Sequence, residues 1–557
     1  MLPMNRRTFL RGSALAAGAG ALSLTACGGQ EQSGTDPQPL TLRMPGPDVA
    51  FPSPFTYRGG IGYLQASYLY DTLLWKDAAG EYIPWLATGF ERSDDGRTYT
   101  FTLREGVTWH DGEPLTAEDV AFTFDYLAEH ADQLAPSVIT VPNYDNLAGV
   151  EAIDELTVEF RLREPDWTFE QFTGAGGVLI FPRHIWSSIS EPGQQQDPAL
   201  LVGSGPYRLT EYEPGTGANL YLANDDYFLG QPAVARIEHR PVDDPLAALL
   251  AGEVDQAGGV GPGTGLRPQA LAPFEDRDEF EVIDAPFGET VVGLYWNLAA
   301  GGVLAEASFR RACALAIDRQ MLVERLFDGK AAPGNPGLLP PSHPYHVPVE
   351  QYEHDPAQAE QLLADAGYER DGADGIRRGP DGEPLRFELL VSNEQPMGPV
   401  ELVIAELAEI GIECEPVAVD LPSFHERLNS GQTELSMTTF GGTNTDEQPD
   451  GMAKVYASTS RSLQRAQGYA NAEFDRLAEQ QRATLDESER QELAAQMQQL
   501  VAEELPMLPL VYPPLTTIVR TTEFDAWYLT PGGVGGLVPG VNNKHAFVTG
   551  ATTGGVS

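Results

Sequence analysis

From residue 97 the chain carries two periods in succession. Tyr99, Phe101 and Leu103 alternate with Thr98, Thr100, Thr102 and Arg104, the two-residue period of a half-buried strand. Glu105-Gly106 turns the chain, Val107-Thr108-Trp109 reads as a short second strand, and His110-Asp111-Gly112 as a turn in which glycine supplies positive φ. From Thr116 the period lengthens. Val120, Phe124 and Leu127 recur at helical spacing, Thr116 can cap the free N–H groups, and Glu118 and Asp119 put carboxylates in the positive first turn.

The same two periods predict the rest. Leu40–Met44 reads as a first strand, Leu64–Leu74 as a helix ending in Tyr70-Asp71-Thr72-Leu73-Leu74, and Val150–Leu162 as a hairpin turning at Asp154-Glu155. After the strand-like Val291–Leu294 the helices lengthen. Phe309–Leu322 and Asp355–Tyr368 are amphipathic, the second with Gly367 as its stop, and Glu487–Glu504 is another helix. Between them, strand Leu385–Val391, helix Val400–Ile410 and strand Ile412–Val419 alternate as an α/β unit does. At 557 residues the chain exceeds one ordinary core, so about two to four lobes are expected.

Charge removes whole classes of partner. The formal net charge is −46, from 81 acidic against 35 basic residues. Nucleic acid and anionic lipid headgroups need clustered Lys and Arg, so neither is the partner. Lysine occurs only at Lys76, Lys330, Lys454 and Lys544, and the acids are spread along the chain as a solvated surface.

The first residues read as an address. Asn5-Arg6-Arg7-Thr8-Phe9-Leu10-Arg11 is a twin-arginine export motif, followed by a weakly apolar Ala14–Leu24 stretch too short and small-sided for a stable membrane span. Leu24-Thr25-Ala26-Cys27 resembles a lipobox, which implies lipidation of Cys27. Gly28–Pro39 is polar and rich in Gly, Pro and Gln, a tether reaching on the order of 20 Å. Localisation outside the cytoplasm, on the outer face of the cell membrane through the lipid on Cys27, is expected. The other cysteines, Cys313 and Cys414, lie in different predicted elements, and no disulfide is asserted.

Candidate chemistry is thin. Trp109-His110-Asp111 could suggest a metal or acid/base pair, but neighbours in a tight turn diverge and no second His or Glu stands at ligand spacing. Gly203-Ser204-Gly205-Pro206-Tyr207 lacks the spacing and the Lys of a phosphate cradle. Asp243-Asp244 and Glu503-Glu504 are chain neighbours, which does not define the separation a glycosidase needs. No nucleophile motif is present, so no enzyme, metal or cofactor is expected.

In order along the chain, Tyr70–Leu74, Arg97–Tyr126, Phe181–Trp186, Gly203–Tyr207, Asn224–Tyr227, Leu249–Asp255, Phe309–Leu322, Gly468–Asp475 and Leu505–Leu510 resemble segments of ABC transporter solute-binding proteins of the dipeptide, oligopeptide and nickel class, family 5. The resemblance spans residues 40 to about 530. It implies an α/β, periplasmic-binding-protein-like, two-lobed (Venus flytrap) fold of the large class with an extra subdomain in the N-terminal lobe. It also implies boundaries: signal 1–27, tether 28–39, lobe I from 40–75, 203–292 and 512–557, the extra subdomain 76–202, and lobe II 293–511.

By the same resemblance the ligand is a peptide or peptide-like solute, the partner an ABC permease, and the protein a monomer. Family members carry a cleft-lining Trp and Asp in the segment matching Met437–Tyr456. Here Gly441-Gly442 stands where Gly-Trp is usual and Gln448-Pro449-Asp450 where Asp-Pro-Asp is usual. Asp446 lies near the acid that meets a peptide's ammonium in that family. Phe440, Thr443, Asn444 and Asp446 are therefore candidate contacts, with Trp296 and Asn297 at the end of the strand from Val291. Tyr57, in the loop that reaches the cleft in relatives, is a further candidate or packs on its own turn. The departure keeps an oligosaccharide open, since Thr443, Asn444 and Gln448 suit neutral polar ligands. Nickel is disfavoured by the scattered His343, His346 and His425. A secreted hydrolase, a chaperone or a sensory receptor are the alternatives of other classes.

Overall fold

The computed structural model describes residues 39–135, 143–171, 173–258, 266, 268–284, 290–370, 372–393, 395–441, 448–460, 462, 465–534 and 540–550. Its sheets fall into two groups. In the first, strands Thr41–Pro45, Arg236–Arg240, Asn219–Ala223 and Tyr207–Tyr212 lie in that spatial order, only the first pair being parallel. A three-stranded antiparallel sheet sets Thr516–Arg520 between Gln256–Gly258 and Phe280–Asp284. A four-stranded antiparallel sheet, Ala87–Arg92, Thr98–Leu103, Thr157–Leu162 and Leu147–Ala152, shares one large core with the first sheet.

The second group is one six-stranded mixed sheet, ordered Ala332–Pro333, Met507–Tyr512, Thr290–Trp296, Leu435–Gly441, Arg386–Ser392 and Glu413–Val419. Val292 and Leu294 face one core, with helices Ala307–Ala316 and Met397–Glu409. Val291 and Tyr295 face another, with helices Ala472–Ala483 and Glu487–Glu504. Alternation along the strand feeds both layers. The result is the two-lobed α/β architecture expected.

The patterned stretch at residue 97 folds as its periods indicate. Tyr99, Phe101 and Leu103 are buried in strand Thr98–Leu103, and helix Ala117–Glu129 begins with a capping box in which the Asp119 carboxylate accepts from Thr116 N–H at 2.9 Å. Val107–Trp109 does not form a strand. A single bridge, Thr108 to Pro114, closes around the turn at Gly112, and Pro114 has no N–H to extend it.

Two helices differ from their prediction. Tyr70–Leu74 is not helical: the helix Gly59–Leu69 ends before it, and the chain straightens into strand Leu74–Lys76 because Asp71 is held elsewhere by buried partners. Phe309–Leu322 is broken. Helix Ala307–Ala316 stops at Ile317, and Asp318 caps a second helix, Arg319–Phe327, accepting from Met321 N–H at 2.9 Å.

Candidate functional site

Strand direction selects the edge where a ligand can meet lobe II. Arg386–Ser392 runs parallel to both Glu413–Val419 and Leu435–Gly441, so their carboxyl ends share one edge. Thr290 lies opposite Gly441 at that edge, and Val511 opposite Val292, so the chain enters and leaves lobe II there. Open α/β sheets hold ligands outside the carboxyl ends of their strands.

A cavity of about 440 Å³ opens at this edge. Lobe I contributes Leu266 and Ala270. Lobe II contributes Val292, Met437 and Thr439 from its central strands, Leu326 and Phe327 from one helix end, and the turn Gln395-Pro396-Met397-Gly398-Pro399. Pro513, on the return to lobe I, completes the lining. No charged side chain lines it among the described residues. The Gln395 amide is engaged with the neighbouring strand: turned to satisfy both ends, its oxygen accepts from Thr439 N–H at 2.7 Å and its nitrogen donates to Met437 O at 3.1 Å. That leaves a largely apolar lining in which Thr439 and Gln395 are the polar residues. An apolar group gains by entering it.

The motif residues that most resemble chemistry are scaffold. His110 accepts Gly203 N–H at Nδ1 (3.2 Å), and its Nε2 lies 2.9 Å from Gly205 O, which makes Nε2 the protonated nitrogen. Burial of the ring pulls its pKa down to about 4. The glycines of that loop are required by contact: a Cβ on Gly203 would sit 1.7 Å from Leu69 O, and one on Gly205 2.3 Å from Tyr68 O. Ser204 between them donates to Asp71 at 3.0 Å. Asp71 also accepts from Trp85 Nε1 (2.8 Å), Tyr227 OH (3.0 Å) and Lys544 Nζ (2.6 Å). Three separate motifs thus converge on one buried polar centre of lobe I.

Of the predicted contacts, the three whose side chains are described, Tyr57, Trp296 and Asn297, do not line the cavity. Tyr57 is buried in the lobe I core, its ring edge-on to Tyr63 at 5.8 Å, so it packs on the helix that follows its own loop. Trp296 and Asn297 lie at the opposite end of their strand from the cavity: Trp296 pairs with Leu435, whereas Thr290 pairs with Gly441. The Asn297 amide donates to Gly431 O and Thr433 O at 3.1 and 2.8 Å and caps the next turn, a structural task. These two do not reach the cavity. The backbone of Phe440 pairs with Val291, while its side chain, like Thr443, Asn444, Asp446 and Cys27, lies outside the described residues. The cavity residues Leu326, Phe327, Met437, Thr439 and Gln395–Pro399 were not anticipated. One signal could have found the last group: a Pro- and Gly-punctuated link between a predicted strand and helix is the carboxyl end of a parallel strand.

Residues 81–462 match the family model described as bacterial extracellular solute-binding proteins, family 5 Middle. Heme-binding protein A of Haemophilus influenzae is 26% identical over 461 residues, covering 78% of this chain and 80% of that protein. The oligopeptide-binding protein AppA of Bacillus subtilis is 26% identical over 451 residues, covering 77% and 78%. The AppA structure with a nonapeptide superposes with a TM-score of 0.72 at 22% identity, covering 86% of this chain and 94% of that one. A mannohexaose-bound oligopeptide-binding protein of Thermotoga maritima gives 0.69 at 23% identity, covering 88% and 93%.

Proposed function

The chain belongs to the bacterial extracellular solute-binding proteins, family 5, and on that footing we propose that it captures a peptide or peptide-like solute between its lobes and delivers it to an ABC permease. The family is one of binding proteins rather than enzymes. The observation that carries the ligand class is the largely apolar cavity of about 440 Å³ between lobe I and the carboxyl edge of the lobe II sheet, with no charged side chain among its described lining residues. It suits the side chain of a peptide and offers little to a hydrated ion or a hydroxyl-covered sugar. AppA of Bacillus subtilis, similar in sequence and fold, supports a peptide.

The Thermotoga protein binds mannohexaose on the same fold, which supports the second reading, an oligosaccharide. In the peptide reading Asp446 pairs with the ligand's ammonium, since a charge withdrawn from water needs an opposite one. The lobe boundaries at 75/76, 202/203, 292/293 and 511/512 belong to the same reading. So do export by the twin-arginine signal and membrane attachment through lipid on Cys27. No helix among the described residues is long and apolar enough to cross a membrane.

A thermal-shift panel tests the assignment. Tripeptides with apolar side chains, mannohexaose, a nickel–histidine complex and hemin are each added to the purified protein. A tripeptide present at about 100 times its Kd stabilises the folded form by about 2.7 kcal/mol. Stabilisation by mannohexaose with no response to peptides selects the second reading. Asp446→Asn with unchanged tripeptide affinity removes Asp446 from the site.

A further inference from the structure

On the other face of the lobe II sheet the lobes meet again, around one indole. Trp167 begins the short turn Trp167–Glu170 in the subdomain of lobe I and is only 7% exposed. Asp166 fixes that turn, its carboxylate accepting from Thr168 N–H at 3.0 Å and from the Thr168 hydroxyl at 2.6 Å. The Trp167 Nε1 donates to Gln481 Oε1 of lobe II at 3.3 Å. The Arg490 guanidinium carbon lies 4.6 Å from the indole centroid, a cation–π contact.

Both partners are held within lobe II. Arg490 Nε donates to Tyr345 OH at 2.8 Å and Nη1 to Thr484 O at 2.8 Å. Gln481 is fully buried and donates to Asp450, whose carboxylate also takes Arg482 Nε at 3.1 Å. The fit beside the indole is close: a Cβ on Gly96 of lobe I would stand 2.4 Å from Leu485 Cδ1. Tyr345, Leu477 and Ala494 belong to the core on this face, whereas Val292, Phe327 and Met437 of the cavity belong to the core on the opposite one. Among the described residues the socket groups that hold the indole come from lobe II, on the far face from the cavity, and lobe I supplies the ring, with its Asp166 in electrostatic reach of Asp450 and Arg482.

We propose that Trp167 and this socket form a closing latch, which sets the balance between open and closed lobes with no group from the ligand. Opening exposes the indole to water and leaves Gln481 Oε1 and the face of Arg490 without their partner. Closing restores all three. The latch governs affinity without lining the cavity, because apparent affinity scales with the fraction of protein already competent to close. It rests on the two-lobed reading, not on which solute is bound.

Small-angle scattering on protein stripped of copurified solute tests it. The ligand-free wild type is expected to populate the closed form measurably. Trp167→Ala shifts the open–closed equilibrium toward open by on the order of tenfold, Arg490→Met shifts it the same way, and Trp167→Phe lies between. Superimposable scattering curves overturn the proposal, as does a ligand-free wild type already as open as Trp167→Ala. If near-ultraviolet circular dichroism shows Trp167→Ala unfolded, Arg490→Met decides from the other lobe. Should no tripeptide bind the wild type, the peptide reading fails while the scattering result still judges the latch.

Discussion

The ammonium of Lys544 lies 2.6 Å from Asp71 Oδ1, a pair 473 residues apart in sequence and fully closed to water. The ammonium also donates to Ser67 O and Tyr70 O and sits 4.2 Å from the Trp75 ring centroid. Burial lowers the Lys544 pKa and Asp71 opposes that shift. Removing one partner strands a buried charge, so Lys544→Met should cost about 3–5 kcal/mol in urea unfolding. Combining it with Asp71→Asn, which leaves no charge, should recover at least half of the loss. A loss in the double variant equal to the sum of the losses in the two single variants would show that the pair is not coupled.

Acid should loosen lobe I through two imidazoles. Burial lowers His110 and His239 from the ordinary 6.5 to about 4. Between those values the unfolded chain binds more protons than the folded one. The stability the neutral rings contribute is therefore present above pH 6.5 and lost as pH falls toward 4. Melting temperature against pH should fall across that window, and His110→Gln should flatten part of the slope. A slope unchanged in His110→Gln would place the acid sensitivity elsewhere.

Glu406 works in the opposite direction. Burial raises its carboxyl from 4.5 to about 7, against the Asp318 N–H it accepts. A raised carboxyl contributes its stability below the unfolded value and loses it as pH climbs through 7. Glu406→Gln, which keeps the acceptor, should melt a few degrees higher than wild type at pH 8 and no higher at pH 4. A gain of the same size at both pH values would refute the ionisation argument.

Filling the cavity should separate binding from folding. Ala270 lines it from lobe I and is only partly buried. Ala270→Trp projects a bulky ring into the space a ligand side chain would take. Affinity for an apolar tripeptide, by calorimetry, is expected to fall at least tenfold with the melting temperature of the free protein nearly unchanged. Undiminished affinity would move the side-chain site out of this cavity.

What could be read from the sequence divides along physical lines. Elements carried by local periodicity appear in place: strand Thr98–Leu103, the hairpin closing at Asp154, and helix Glu487–Glu504 all follow from their own residues. Where a distant partner wins, the local pattern misleads. Tyr70–Leu73 has helical spacing, but Asp71 is claimed by Lys544, Trp85, Ser204 and Tyr227, none of them close in sequence. The cavity was invisible for the same reason, since Ala270, Phe327, Met397 and Met437 look like ordinary core residues until the sheet order brings them to one edge. Trp296 and Asn297 close the strand that begins near Val291, and the strand carries them to the end away from the cavity.

The three-stranded sheet of lobe I has a consequence for how such a protein can be rebuilt. Asp284 and Thr516 are ladder partners, and the Thr516 hydroxyl donates to the Asp284 carboxylate at 2.6 Å across a separation of 232 residues. Seen from lobe I, the whole of lobe II is the loop of a β-hairpin. Its two ends leave from one rung, so it behaves as a cartridge: replacing residues 285–515 with a two-residue Asn-Gly turn would close an ordinary hairpin. Exchanging the cartridge between relatives would transplant the cavity's larger half while leaving the Asp71–Lys544 centre untouched.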